Sequence, residues 1–246
     1  MILYIIGLAV SLPLIFHCIK TGRHFVWVIV MLALPLLGSA IYFFAEIFPD
    51  LGRSGASRRA IRGLRSTLNP EGDLRRLENE MKVTGNVQFK QRYADELVRL
   101  GRAKEALEIY RTSLTGLFAD DPKLLLGFAE AQFAAGEPAA ARQTLDELIG
   151  KNPEFKSTNG HLLYARALEA EGNTAKALEE YAALAEYFPG AEAGVRYAKL
   201  LKTTGQKSQA RQILESLLER AKYAPGHYKK AQREWLDEAQ SELRSS

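Results

Sequence analysis

Apolar positions fall into two regimes along this chain. The first 45 residues hold two long uncharged runs, Met1–Ile19 and Phe25–Ala45. As helices these 19- and 21-residue runs would each extend roughly 28–32 Å, about the thickness of a bilayer's hydrocarbon core. Only "KTGRH" separates them. The pattern predicts a two-helix transmembrane hairpin with helices at about 1–19 and 25–46, because lipid forces each backbone to satisfy its own hydrogen bonds. A cleaved leader fits less well, since the start lacks both a basic segment and a small-x-small cleavage site.

From residue 87 the rhythm changes to a repeat. Gly101, Gly136, Gly172 and Gly205 are spaced by 35, 36 and 33 residues. Five residues after each stands an alanine: Ala106, Ala141, Ala177 and Ala210. Four further on come Tyr110, Leu145, Tyr181 and Leu214, then Ser113, Leu148, Leu184 and Leu217. Eight before each glycine an aromatic precedes an alanine, at Tyr93, Phe128, Tyr164 and Tyr197. The glycine predicts a turn between antiparallel helices, and the alanines predict close helix crossings. Each pair leaves one face bare, so the pairs must stack. "NPEGDLRRLENEMKV" reads as a short lead-in helix with Asn69 as N-cap and Pro70 first in the helix. "PGHYKKAQREWLDEAQSEL" sets Tyr228, Ala231, Trp235, Ala239 and Glu242 or Leu243 on one face, as a terminal cap would need.

These four copies resemble the tetratricopeptide repeat, with Pro153 and Pro189 at the place where a repeat closes. The stretch around Trp27, Leu34–Gly38 and Tyr42 is similar to the amino-terminal membrane segment of phospholipase D-like and cardiolipin synthase enzymes. The expected fold is all-α: a transmembrane hairpin (1–48), an arginine-rich linker (49–68), a lead-in helix (69–86), four tetratricopeptide repeats (87–225), and a capping helix and tail (226–246).

Charge adds an orientation. The chain carries +4 overall, yet 51–65 holds five arginines and no acid: Arg53, Arg58, Arg59, Arg62 and Arg65. Beyond it 26 basic side chains face 27 acidic ones. Basic residues flanking membrane helices stay cytoplasmic, and arginines near the surface attract anionic head groups. The chain is therefore expected in a bacterial inner membrane with two helices, its repeats cytoplasmic and its arginines at the membrane surface. This localised charge differs from a nucleic-acid footprint.

Catalytic chemistry lacks its parts. The single cysteine, Cys18, excludes an intrachain disulfide, and the four histidines show no metal-ligand spacing. "HYKKAQRE" departs from the paired His-x-Lys motif of phospholipase D-like enzymes, with Glu234 in place of Asp. No enzyme and no cofactor are expected. In tetratricopeptide arrays the first helix of each pair lines a groove, and the resemblance assigns to it Gln91, Asp95, Val98, Lys123, Leu126, Glu130, Phe133, Leu162, Arg166, Glu169, Val195, Lys199 and Lys202. The order runs from acidic through apolar to basic. The expectation is a membrane-anchored, non-catalytic adaptor that holds a protein or peptide in this groove and admits homo-oligomers. Two alternatives remain: a periplasm-facing factor for envelope or cytochrome assembly, and a regulatory subunit of a membrane lipid enzyme.

Overall fold

The structure is a computed structural model that describes residues 2–20, 25–42 and 70–245. Those residues are helical apart from turns, and they divide into two compact units, residues 1–73 and 74–246.

In the first unit, α1 spans Ile2–Lys20 with Pro13 inside it. The second apolar run is not one helix. It splits into α2 (Val26–Ala33) and α3 (Pro35–Tyr42), eight residues each. The break is at Leu34, which has φ −133° and ψ 77°. A proline drives the residue before it out of the helical region and cannot donate the next hydrogen bond. Gly38 then lies so close to α2 that a Cβ there would meet the Val30 carbonyl carbon at 2.8 Å. Cys18, Val28, Met31 and Tyr42 form a small buried cluster, and His17 Nδ1 lies 3.1 Å from the Tyr42 hydroxyl.

The expected hairpin, and the likeness to a phospholipase D-type anchor, are corrected by this arrangement. Among the described residues no helix is long and apolar enough to cross a membrane. An eight-residue helix rises only about 12 Å. The inner-membrane location, the lipid partner and the sidedness all rested on a spanning hairpin and lose that support. Arg53, Arg58, Arg59, Arg62, Arg65 and the Asn69 cap lie outside the described residues.

In the second unit, α4 (Pro70–Thr84) leads into four helix pairs: α5 (Val87–Arg99) with α6 (Ala103–Ser113), α7 (Pro122–Ala134) with α8 (Pro138–Lys151), α9 (Thr158–Ala170) with α10 (Thr174–Tyr187), and α11 (Glu192–Thr203) with α12 (Lys207–Tyr223). Two more helices follow, α13 (Gly226–Ala231) and α14 (Arg233–Arg244). Each helix of the array packs on its neighbours in sequence, and α14 packs on α12 and α11.

All four turns between paired helices are built alike. Gly101, Gly136, Gly172 and Gly205 take φ from 77° to 85°, a region side chains resist. The residue after each glycine donates back across the turn, at 2.8 Å from Arg102 N to Leu97 O and 2.9 Å from Glu137 N to Gln132 O. Asn173 N to Leu168 O and Gln206 N to Leu201 O repeat it. This is a Schellman closure that satisfies carbonyls left over at the helix end. Three of the four first helices start on side-chain caps: Asn86 accepts from Gln88 N, Asp121 from Lys123 N and Leu124 N, and Ser157 from Gly160 N, while α11 starts on Ala191 without one.

The repeat alanines Ala106, Ala141, Ala177 and Ala210 are fully buried, and so are Tyr110, Tyr181 and Leu214. Ser113 is buried where its counterparts are leucines, and its hydroxyl donates to the Ile109 carbonyl at 2.6 Å. The core comprises three clusters along the array. One centres on α5 and α6, one on α8 with its neighbours, and the largest runs from α9 to α14.

Candidate functional site

The first helices α5, α7, α9 and α11 carry the side chains that the repeat register assigns to a groove. Their actual environments differ along the array. At the start, Gln91 donates to the Lys123 carbonyl at 3.4 Å and ties α5 to α7. Asp95 accepts a hydrogen bond from the buried Tyr110 hydroxyl. Asp95 is exposed, yet nearby protein partly desolvates its carboxyl, and this raises its pKa. Glu130 is shifted upward too, first by desolvation and then by the Asp95 charge beside it. No ion pair reaches either carboxylate among the described residues. The Tyr110 phenol is held far above its ordinary range by burial and then by Asp95.

The middle of the wall is apolar, then tightly paired. Leu126 and Phe133 are half-buried, and Lys123 is exposed. The Arg166 guanidinium lies over the Phe133 ring at 4.8 Å, which is cation–π geometry. Arg166 Nε sits 3.7 Å from Glu192 and makes no hydrogen bond. Glu169 accepts from the Tyr181 hydroxyl at 2.5 Å and from Arg196 at 3.1 Å. Arg196 also bonds Glu192 at 2.8 Å.

The far end, expected to be a free basic surface, is already engaged. Lys199 pairs with Glu238 at 2.7 Å, and Lys202 pairs with Glu242 at 2.7 Å. Trp235 receives Arg196 over its ring at 5.3 Å. All three partners belong to α14. Leu162 and Val195 are 7% and 0% exposed and join the core. Asp95 and Glu130 thus stay exposed and Leu126, Phe133, Arg166 and Glu169 half-buried, whereas Leu162 and Val195 are buried in the core and Lys199 and Lys202 are held in ion pairs. Residues that the register missed are Glu192, Arg196 and Tyr110. Arg196 stands one turn beyond Glu192, a spacing that marks a helix-face ion pair.

Among the described residues no group of three or more His, Cys, Asp or Glu could hold a metal ion. The first helices thus carry paired charge at one end and, at the other, the Asp95 and Glu130 carboxylates without an ion pair among the described residues.

Two tetratricopeptide-repeat models match the chain, over residues 97–167 and 161–191. No curated protein sequence matches it. Solved structures of similar shape include TTC0263, a thermophilic tetratricopeptide protein of Thermus thermophilus. It is 18% identical, with 76% of this chain and 96% of that one covered and a TM-score of 0.57. MamA 41-end from Desulfovibrio magneticus RS-1 is 14% identical, covering 68% of this chain and 95% of that one, with a TM-score of 0.56. Another MamA crystal structure is 19% identical, covering 65% and 95%, with a TM-score of 0.54. At such identities the likeness concerns the fold alone. The two models together cover residues 97–191, where the chain is similar to tetratricopeptide repeats, and the solved structures share its helical-repeat fold.

Proposed function

We propose that the protein is a non-catalytic scaffold that holds a partner protein by an extended or helical peptide along the wall of first helices. A basic side chain of that peptide sits between Asp95 and Glu130, and an apolar one sits on Leu126 and Phe133. The observation that carries this reading is the pair of neighbouring carboxylates with raised pKa values and no cation beside them. Like charges held near each other, even at exposed positions, repel and disfavour the fold slightly unless something else gains from them. A cationic ligand gains from them directly. The opposite end supports the same polarity, because α14 has already neutralised its lysines.

The test is fluorescence anisotropy with the full chain and a labelled synthetic peptide that combines lysines and leucines. Its charge-reversed version, with glutamates for lysines, is the comparison. The basic peptide is expected to bind, and Glu130→Gln to weaken it roughly ten- to a hundredfold, the range for losing a charge-assisted contact. Affinity falls with salt. It also falls as pH is lowered through the raised carboxyl range, where protonation removes the charge. The sign for folding is opposite. With folded pKa values above the unfolded ones, the two carboxyls favour the fold most below the unfolded values, and that contribution is lost as pH rises through the folded ones. Equal binding of both peptides would remove the proposal.

A further inference from the structure

The seat of α14 is only partly filled. This helix buries one residue, Ala239, against six in α11. The short helix that carries it, α13, buries none. Between α12 and the pair α13–α14 lies a concavity of about 750 Å³, with Leu218, Ala221, Leu236 and Leu243 on its lining. Unfilled space of this kind forfeits packing contacts, so packing holds α14 less firmly than the helices beneath it.

A row of polar contacts does much of the holding. Trp235, Glu238, Ala239 and Glu242 stand at i, i+3, i+4 and i+7, so they share one side of the helix. Trp235 lies under the Arg196 guanidinium at 5.3 Å. Glu238 pairs with Lys199 and Glu242 with Lys202, both at 2.7 Å. Lys202 also donates to the Glu242 carbonyl and the Ser245 hydroxyl. All three cations come from α11. Both ion pairs are partly open to water, and such pairs add little net stability. The chain leaves α12 through an extended residue, Ala224 at ψ 149°, followed by Pro225. Such element-terminal positions are where a hinge absorbs rotation.

We infer that the basic face of α11 is a docking site for an acidic amphipathic helix of a partner protein, and that α14 is the stand-in that covers it. Docking a helix by one face is a common mode of peptide recognition. The resident helix specifies the ligand. It needs an aromatic side chain for Arg196, a small residue four places on where Ala239 is buried, and carboxylates three and seven places after the aromatic for Lys199 and Lys202. The cations are already matched at rest, so a partner gains only by replacing α14. Its affinity is reduced by the fraction of molecules in which α14 is open. The inference concerns the opposite end of the array from Asp95 and Glu130 and does not rest on that reading.

The probe is a fluorescent, end-blocked peptide of residues 233–244, titrated into the full chain and followed by anisotropy. The comparison peptide carries lysines at the places of Glu238 and Glu242. Trp235→Ala in the chain loosens α14 and leaves the three cations in place, so this variant should bind the acidic peptide about tenfold or more tightly than the unaltered chain. Adding Lys199→Glu and Lys202→Glu should abolish that gain. Glu238→Gln with Glu242→Gln releases α14 by a second route and should act in the same direction if the first variant misfolds. No binding by any form, equal affinity for both peptides, or no gain on releasing α14 would each overturn the assignment. So would sedimentation of the unaltered chain as a dimer that Trp235→Ala dissociates, because a second copy's α14 would then be the occupant. The basic peptide, titrated into the same sample, reports on Asp95 and Glu130 separately, so either site can fail alone.

Discussion

At the scale of single residues, the point of least tolerance is where α6 meets α7. A Cβ on Gly127 would meet Cζ of the Tyr110 ring at 2.7 Å. That ring is fully buried, and its hydroxyl is committed to Asp95, so it has nowhere to retreat. Gly127→Ala is therefore expected to destabilise the array by about 1–3 kcal/mol, the usual cost of overpacking, and to loosen the Tyr110–Asp95 bond at the groove. Gly150 makes the comparison clean. It lies in α8, where an added methyl would find nothing within 4 Å, and Gly150→Ala should be neutral or gain up to about 1 kcal/mol through reduced freedom of the unfolded chain. Urea unfolding of the two variants measures the difference. Equal midpoints would mean that helix propensity, and not the contact with Tyr110, governs both positions.

At the scale of elements, α14 decides what the last repeat can do. It places Trp235 under Arg196, buries Ala239, and takes up Lys199 and Lys202. Trp235→Ala should cost roughly 2 kcal/mol, about half the figure for a wholly buried tryptophan. It should also speed amide exchange in α14 well before α11 is affected; exchange rising equally in both helices would show that α14 is no separable lid. The repeat helices were legible from the sequence because each turn depends on one local device, a glycine at positive φ closed by a Schellman bond. The groove's polarity was not. Lys199 and Lys202 count as free cations until Glu238 and Glu242, about 40 residues on, are seen to fold back on them. The cap's break at Gln232 was equally hidden, since its side chain is recruited at 2.9 Å by the distant Ala191 N–H. Pro35 is the opposite case: the signal was in plain view, and the second run breaks at Leu34 just before it, although α1 carries Pro13 without a break.

At the scale of the whole array, residues 74–245 have no single centre. The cluster on α5 and α6 touches the middle one through Leu114, and the middle one touches the largest through Tyr164. Stability in such a chain is a sum of local terms and nearest-neighbour interfaces. Leu184 is fully buried in the largest cluster, and Leu184→Ala should cost about 2–5 kcal/mol there. Exchange should accelerate through α9 to α14, while amides of α5 and α6 change little. The consequence for function is specific: the open carboxylates at Asp95 and Glu130 belong to the cluster that stays intact, so basic-peptide binding should survive this substitution. Uniform acceleration across all helices would instead reveal one cooperative core, and peptide binding would then be lost with it.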